Sequence, residues 1–190
     1  MKKSSYSKVI LGISVLSSIL VLVSCSKSSD NTQMPTVGNT LYDSLGGTTL
    51  VADPTRAGAN IEKGRLGIRN VVDSTIFVIA GDSRINGHFT ALLAEVTQGD
   101  LSGFTALSEN LTTFVSNATG AKDFIYIGLS MTDAHNPATN PRINGKATNA
   151  DFDAFVSDLV MGANKNKLPA NLINSVGTIV ESLRGQVVQQ

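Results

Sequence analysis

The fold of this chain is decided by the stretch Tyr126-Ile-Gly-Leu-Ser-Met-Thr-Asp-Ala-His135, which contains one of only two histidines in the 190 residues. On a helix, Met131 and His135 lie four residues apart and share one face. An imidazole beside a thioether and small apolar side chains is suited to be an axial ligand of a haem iron. The alternative is an ordinary surface histidine ahead of the turn at Asn136-Pro137. The rest of the chain decides between the two.

The N-terminus has the pattern of a targeting segment. Three lysines, Lys2, Lys3 and Lys8, precede an apolar run over residues 9–23 that only glycine and serine interrupt. The run is too short for a comfortable membrane span, and polar residues follow it at once. These features predict a signal peptide over residues 1–24.

The only cysteine follows this run directly, and the sequence Leu22-Val23-Ser24-Cys25 resembles the lipobox of bacterial lipoproteins. A single cysteine excludes an internal disulfide. The resemblance implies cleavage before Cys25 and a diacylglycerol thioether on its sulfur. By the sorting pattern of such lipoproteins, Ser26 in place of aspartate favours the outer membrane of a bacterium with two membranes. The alternative is an ordinary secretory signal with an incidental cysteine.

Cleavage there removes three lysines and no acidic residue, which leaves 12 basic and 15 acidic residues and a formal charge of about −3. Such a chain offers no basic field for nucleic acid. Residues 25–39 are nearly devoid of apolar side chains, and we expect a flexible tether between the lipid and the body. Residues 40–190 are long enough for one domain with a substantial core.

Four runs in this body repeat apolar residues at the three-and-four spacing of a helix. The first comprises Ile68, Val71, Val72, Thr75, Ile76 and Ile79; the second Phe104, Leu107, Leu111, Phe114, Val115 and Ala118. The third comprises Phe152, Phe155, Val156, Leu159, Val160 and Ala163, and the fourth Leu172, Ile173, Val176, Ile179, Val180, Leu183 and Val187. We expect Asn149 to cap the third helix and Pro169 to start the last.

Two segments lack this periodicity. Residues 48–63 contain Pro54, Gly58 and several small side chains, and residues 136–146 are rich in turn formers. We expect both to be inserted loops. Because four amphipathic helices can bury their stripes only against each other, the sequence predicts an all-α domain.

Four pieces of this body together resemble the group 1 truncated haemoglobins. They are the opening Leu41-Tyr-Asp-Ser-Leu-Gly-Gly47, the segment from Asp82-Ser-Arg-Ile to Phe89, the stretch Tyr126 to His135, and the junction Leu168-Pro169. The resemblance covers most of residues 41–188. It implies a globin-like two-over-two helical sandwich that holds one haem b, with His135 as the iron ligand. The two loops are departures from the family.

The same resemblance implies a set of haem contacts. They are Ile76, Phe89, Leu107, Leu111, Phe114, Val115, Tyr126, Met131, Phe152 and Val180. Tyr126 is the best candidate for a haem propionate. The other histidine, His88, is the one rival as an iron ligand; since it adjoins Phe89, we expect it to point elsewhere, toward solvent or a propionate.

The ligand side departs from the family. Thr75 and Ile76 lie where the family favours Phe-Tyr, and Leu107 and Leu111 lie where a glutamine or another donor is common. Ile76, Leu107 and Leu111 would form an apolar pocket without a hydrogen-bond donor for dioxygen. A charge-assisted hydrogen bond contributes roughly 1.5–3 kcal/mol, so we expect fast oxygen release.

We therefore expect a haem-binding, lipid-anchored globin that binds a small diatomic ligand (O2, NO or CO), with an unknown redox partner. The alternative is a haem-free structural or interaction lipoprotein that kept the fold. Redox turnover ranks last, because the expected pocket has no general acid or base. No nucleophilic triad, phosphate loop or Cys/His metal cluster is evident in the sequence.

Overall fold

The structure, a computed structural model, describes residues 39–190. The expectations for the signal peptide and for Cys25 therefore lie outside the described residues. No helix among residues 39–190 combines the length and the apolar character needed to cross a membrane.

Eight α-helices and one short hairpin make up the described part of the chain. The helices are α1 (Leu41–Ser44), α2 (Lys63–Gly81), α3 (Thr90–Thr97), α4 (Ser102–Ala118), α5 (Met131–Ala134), α6 (Asn149–Lys165), α7 (Ala170–Glu181) and α8 (Arg184–Val187). A 3₁₀ turn, Asn86–Phe89, precedes α3. The all-α prediction is confirmed.

The first predicted loop, residues 48–63, is instead a β-hairpin that runs into α2. Strands β1 (Leu50–Ala52) and β2 (Asn60–Glu62) pair antiparallel. The buried carboxylate of Asp53 accepts a hydrogen bond from Arg69 of α2 at 2.9 Å and another from the backbone of Thr55. These bonds hold the pKa of Asp53 well below its usual range. The sequence did not predict the hairpin, because three-residue strands are too short to show an alternating pattern.

Helix α2 lies at the centre of the domain, between α4 and α6. Its buried residues Ile68, Val72, Ile76 and Ile79 come from the first apolar run of the sequence. The first three join Tyr42, Leu92 and Ala121 in the main core cluster. The predicted stripe of this helix is therefore the core of the fold.

Helix α4 differs from the expectation in the face that it buries most deeply. Its fully buried side chains are Ser108, Thr112 and Ser116, whereas the predicted stripe residues are only half-buried and Ala118 is exposed. The small hydroxyl side chains allow α4 to pack closely on α2. Ser116 satisfies its own hydroxyl by donating to the carbonyl oxygen of Thr112 at 2.7 Å.

The C-terminal helices differ in detail from the prediction. Thr148, not Asn149, caps α6: its side chain accepts from the backbone of Asp151, whose carboxylate accepts in return from the backbone of Thr148. Pro169 precedes α7 as expected. The last helix is not continuous to Val187, because α7 ends at Glu181 and α8 begins at Arg184.

The short helix α3 was not anticipated; it spans about two turns and has no side-chain cap.

Candidate functional site

An apolar cavity lies among α2, α4, α6 and α7. Its volume is about 200 Å³. The residues that line it come from every one of these helices: Gly67, Ile68, Asn70, Val71, Val72, Thr75, Ile76 and Ile79 of α2, Leu111 and Val115 of α4, Phe155, Leu159 and Ala163 of α6, and Ile173, Val176 and Val180 of α7, with Leu45, Asn166 and Leu168 at its margin. The cavity is thus bounded by the apolar faces of four helices.

Two of the three polar side chains on the cavity wall, those of Thr75 and Asn166, are committed to other partners, and the third, that of Asn70, is exposed. The hydroxyl of Thr75 donates to the carbonyl oxygen of Val71 at 2.8 Å. The side-chain amide of Asn166 donates to the backbone of Asn70 and Gly162. Neither Thr75 nor Asn166 therefore offers a free hydrogen-bond donor to a molecule beside Ile76 and Leu111 in the cavity.

The imidazole of His135 has a fixed tautomer. Its Nδ1 lies 2.8 Å from the carbonyl oxygen of Met131, one turn earlier. A carbonyl oxygen only accepts, so Nδ1 carries the proton and Nε2 keeps a free lone pair. Burial lowers the pKa of His135, and nearby His88 lowers it further, while the Met131 hydrogen bond opposes both. The neutral form with Nε2 available is the one that a metal ion requires.

His135 directly follows α5, a single helical turn held by side chains from elsewhere. Gln189 donates to the carbonyl of Thr132, Thr139 to that of Asp133, and Asn140 to that of Ala134. With the bond from His135 to Met131, every carbonyl of this turn has a side-chain donor. Residues 136–146 thus help to fix the position of His135, a function that their turn-rich sequence did not reveal.

The second histidine, His88, is engaged at both ring nitrogens. Nδ1 lies 2.6 Å from the carbonyl oxygen of Asn144, and Nε2 lies 3.3 Å from the carboxylate of Asp151. His88 therefore joins the 3₁₀ turn to the second predicted loop and to α6. The partners of His88 are therefore protein groups, and not the solvent or propionate that the sequence suggested. Within residues 39–190, no group of three His, Cys, Asp or Glu side chains could hold a metal ion.

The cavity brings together four of the expected haem contacts: Ile76, Leu111, Val115 and Val180. Leu107 and Phe89 do not line it and pack instead against the core cluster around α2. The predicted three-residue apolar pocket is therefore built from Ile76 and Leu111 with Val115, and without Leu107. Sequence reasoning missed Val71, Leu159 and Val176, which lie on the same apolar stripes but match no family motif.

The remaining expected contacts, and His135 itself, lie outside the cavity lining. Phe114 packs edge-on against Tyr126, with ring centroids 5.3 Å apart. Tyr126 donates its hydroxyl to the carbonyl oxygen of Leu129, so that hydroxyl is not free as a donor to a propionate. Met131 contributes its carbonyl to His135. Phe152 is buried beneath the guanidinium of Arg184, 4.3 Å from its ring centre.

The donor chemistry of His135 fits a haem iron. One neutral imidazole, oriented by a carbonyl, is the proximal arrangement that haem iron needs. The cavity alone is smaller than the roughly 300–1,000 Å³ of usual cofactor pockets. A macrocycle would therefore also require the half-buried apolar faces of α4 and α7, where Leu107, Phe114 and Ile179 are available.

The structure is similar to two solved truncated haemoglobins. The Tetrahymena pyriformis protein, in its Fe(III) form, has a TM-score of 0.55 and 17% sequence identity. The 2/2 haemoglobin of Synechococcus sp. PCC 7002, with covalently attached haem, has a TM-score of 0.57 and 22% identity. Each match covers 80% of this chain and all of the other. The domain therefore has the two-over-two globin fold.

Comparison of the sequence with protein-family models gives no match, and neither does comparison with curated proteins.

Proposed function

We propose that this chain is a haem-binding globin, held on a membrane by a lipid, that binds a small diatomic ligand. The observation that carries the proposal is the hydrogen bond from Nδ1 of His135 to the Met131 carbonyl. It leaves Nε2 as a lone-pair donor on a half-buried, neutral imidazole. The globin fold supports the proposal, because the similar structures named above contain haem or its iron.

A haem b would supply an iron that binds O2, NO or CO. The chain's own residues would do three things. His135 would hold the iron, and the capped turn α5 would orient the imidazole. The apolar faces of α4 and α7 would exclude water. Ile76, Leu111 and Val115 would surround the ligand without donating a hydrogen bond to it.

This wall favours ligand binding or sensing over turnover. General acid–base catalysis needs a titratable group within hydrogen-bond reach of the reacting atoms. No Asp, Glu, His, Lys, Cys or Tyr belongs to the described cavity lining. The proposal also allows a redox partner, because electron transfer does not need a titratable group in the cavity.

The lipid anchor is proposed from the lipobox-like sequence at Cys25. Two or three acyl chains hold a protein on a bilayer far more firmly than one, since each buried methylene contributes about 0.8 kcal/mol. We expect the parent protein to partition into the detergent phase and the Cys25→Ala variant to remain in the aqueous phase. Equal partitioning of parent and variant would exclude the anchor.

Titration of the full chain with haem tests the cofactor directly. We expect an absorption band that saturates at one haem per chain. After reduction, carbon monoxide should shift this band to a new wavelength. Haem that binds without a saturation point would contradict the proposal. In that outcome the haem-free interaction lipoprotein becomes the better description of the chain.

A further inference from the structure

An apolar ridge runs along the outside of the segment that connects α4 to α5. From Phe124 to Ile127 the side chains alternate between the domain and solvent, and Leu129, beyond Gly128, is exposed as well. Ile125 is 74% exposed, Ile127 91% and Leu129 47%. We call these three side chains the ridge. Single exposed apolar residues are ordinary, but three large exposed apolar side chains within five residues form an apolar patch on this segment.

The inward-facing residues keep the ridge pointing outward. Phe124 packs edge-on against Tyr42 and lies 4.3 Å below the guanidinium of Arg65. Tyr126 packs against Phe114 and donates its hydroxyl to the carbonyl of Leu129. Because these contacts anchor alternate residues, the segment cannot rotate to bury Ile125 or Ile127 without breaking them.

The N-terminal stretch joins the domain beside this ridge. The backbone N–H of Tyr42 donates to the carbonyl of Thr119 at 2.8 Å, at the end of α4. Gly120 has φ +101°, and a Cβ there would lie 2.9 Å from Cβ of Thr40. The chain therefore enters the domain against Thr119 and Gly120, which lie a few residues before the ridge.

The reach of the preceding residues limits which face can approach a membrane. The thirteen residues 26–38 span at most roughly 45 Å when fully extended. A domain of this size has a radius of gyration of about 15 Å, so its diameter is close to that limit. A tether of this length is therefore short enough to keep the ridge within reach of a bilayer that holds Cys25.

Charge also favours this face. No charged residue occurs between Asp123 and Asp133, so no residue of the ridge segment itself would have to enter lipid as an ion. We propose that Ile125, Ile127 and Leu129 insert into the surface of the lipid bilayer and orient the domain on it. This inference rests on the proposed lipid anchor, which would keep the ridge at high local concentration near the bilayer.

The test places a nitroxide at one ridge position in the full chain. An acylated Cys25 has no thiol, so the reagent would label only an introduced cysteine. The variant is Ile127→Cys, and the matched control is Phe77→Cys. Phe77 is also exposed and apolar, but it packs on Phe104 at the opposite end of α4 from the ridge. Both are reconstituted in vesicles of phosphatidylethanolamine and phosphatidylglycerol.

Collision rates with oxygen, which concentrates in lipid, and with a water-soluble nickel chelate report the environment of each label. We expect the label at 127 to collide mainly with oxygen and the label at 77 mainly with the chelate. If the two labels respond alike to the chelate, the ridge does not enter the bilayer. Spin–spin broadening at 127 alone would show a second copy on the ridge, which would also overturn the proposal.

Nitroxide labelling of the parent protein distinguishes a failure of this inference from a failure of the proposed lipid anchor. Uptake of nitroxide by the parent would show a free Cys25 thiol and overturn the anchor. The ridge would then be tested in a Cys25→Ser background mixed with the same vesicles. An oxygen-dominated label at 127 there would support the ridge without the anchor, and a chelate-dominated label would overturn both.

Discussion

The imidazole of His135 has one nitrogen committed and the other free. The committed nitrogen donates to a carbonyl one turn earlier, which is possible only because α5 ends at Ala134 and its last turn is held by Thr139 and Asn140. His88, by contrast, has a partner at each nitrogen. At the scale of single residues, this difference is the reason why the proposal places the iron on His135 and not on His88.

Oxygen release tests the apolar cavity wall. Ile76→Tyr and Leu111→Gln each introduce a hydrogen-bond donor at a position that lines the cavity. We expect either variant to slow oxygen dissociation about tenfold or more, because a good hydrogen bond contributes over about 1.4 kcal/mol. Rapid-mixing kinetics would measure this. Carbon monoxide dissociation should change much less, since that ligand carries less charge.

Thr75→Val serves as the control for this experiment. The hydroxyl of Thr75 already donates to the Val71 carbonyl, so its removal should leave oxygen dissociation unchanged. Acceleration in Thr75→Val would show that this hydroxyl is the donor to the ligand. Slow oxygen release by the parent protein would likewise contradict an apolar wall.

Asp158 makes stability depend on pH. Both of its oxygens are buried without a hydrogen-bond partner, 3.5 Å from Arg84 at the closest. Burial chiefly, and then the charge of Asp82, raise the pKa of Asp158. A raised pKa in the folded state contributes stability at low pH that is lost as pH rises through that value.

We therefore expect Asp158→Asn to gain stability relative to the parent as pH rises from about 4 to about 7. The gain should reach about 1–3 kcal/mol, because the amide removes a buried negative charge that has no hydrogen-bond donor. Urea unfolding at several pH values would measure it. A difference between the two proteins that is constant with pH would show that Asp158 titrates normally.

At the scale of helices, α4 and α7 share one property. Each carries an apolar stripe that is only half-buried, and both contribute to the cavity wall. The sequence predicted these stripes correctly because period-3.6 patterning is a local signal. It could not show that α4 buries Ser108, Thr112 and Ser116 more deeply, since small hydroxyl residues are buried only when a neighbouring helix lies close.

The contact between α2 and α6 depends on Gly162, which has no side chain to hold the two helices apart. A Cβ at Gly162 would lie 2.3 Å from the hydroxyl oxygen of Thr75 and 2.9 Å from its backbone nitrogen. We expect Gly162→Ala to lower the free energy of unfolding by about 1–3 kcal/mol, because the two helices must separate. Chemical denaturation would measure the change.

Gly177 of α7 provides the matched helical control. A Cβ there would meet no atom within 4 Å. Gly177→Ala should therefore raise the free energy of unfolding by about 0.5–1 kcal/mol through helix propensity alone. A loss of stability in both variants would mean that the close approach at Gly162 is not the cause.

At the scale of the whole molecule, the sequence predicted the class and the main helices, but it placed Met131 and His135 on one helix, whereas α5 ends at Ala134 and His135 follows it. It missed the hairpin of residues 48–63, whose anchor is the long-range pair of Asp53 and Arg69. It also missed the capping of α5 by residues 139, 140 and 189. Both depend on contacts between distant parts of the chain, which periodicity and motif spacing do not encode.

The cavity wall shows the same limit. Of the three residues that the sequence placed together in one apolar pocket, Ile76 and Leu111 line the cavity, but Leu107, one turn from Leu111, does not. Residues one turn apart share a helix face, yet the edge of a cavity can fall between them. A family motif places residues along the chain, whereas cavity boundaries depend on how four helices meet.

The central claim is that Nε2 of His135 binds haem iron, and His135→Gly tests it most directly. We expect this variant to lose the visible absorption of the haem-loaded protein and to regain it when imidazole is added. His88→Gly should keep the parent spectrum, because both nitrogens of His88 are used within the fold. An unchanged spectrum in His135→Gly, with no response to imidazole, would contradict the account.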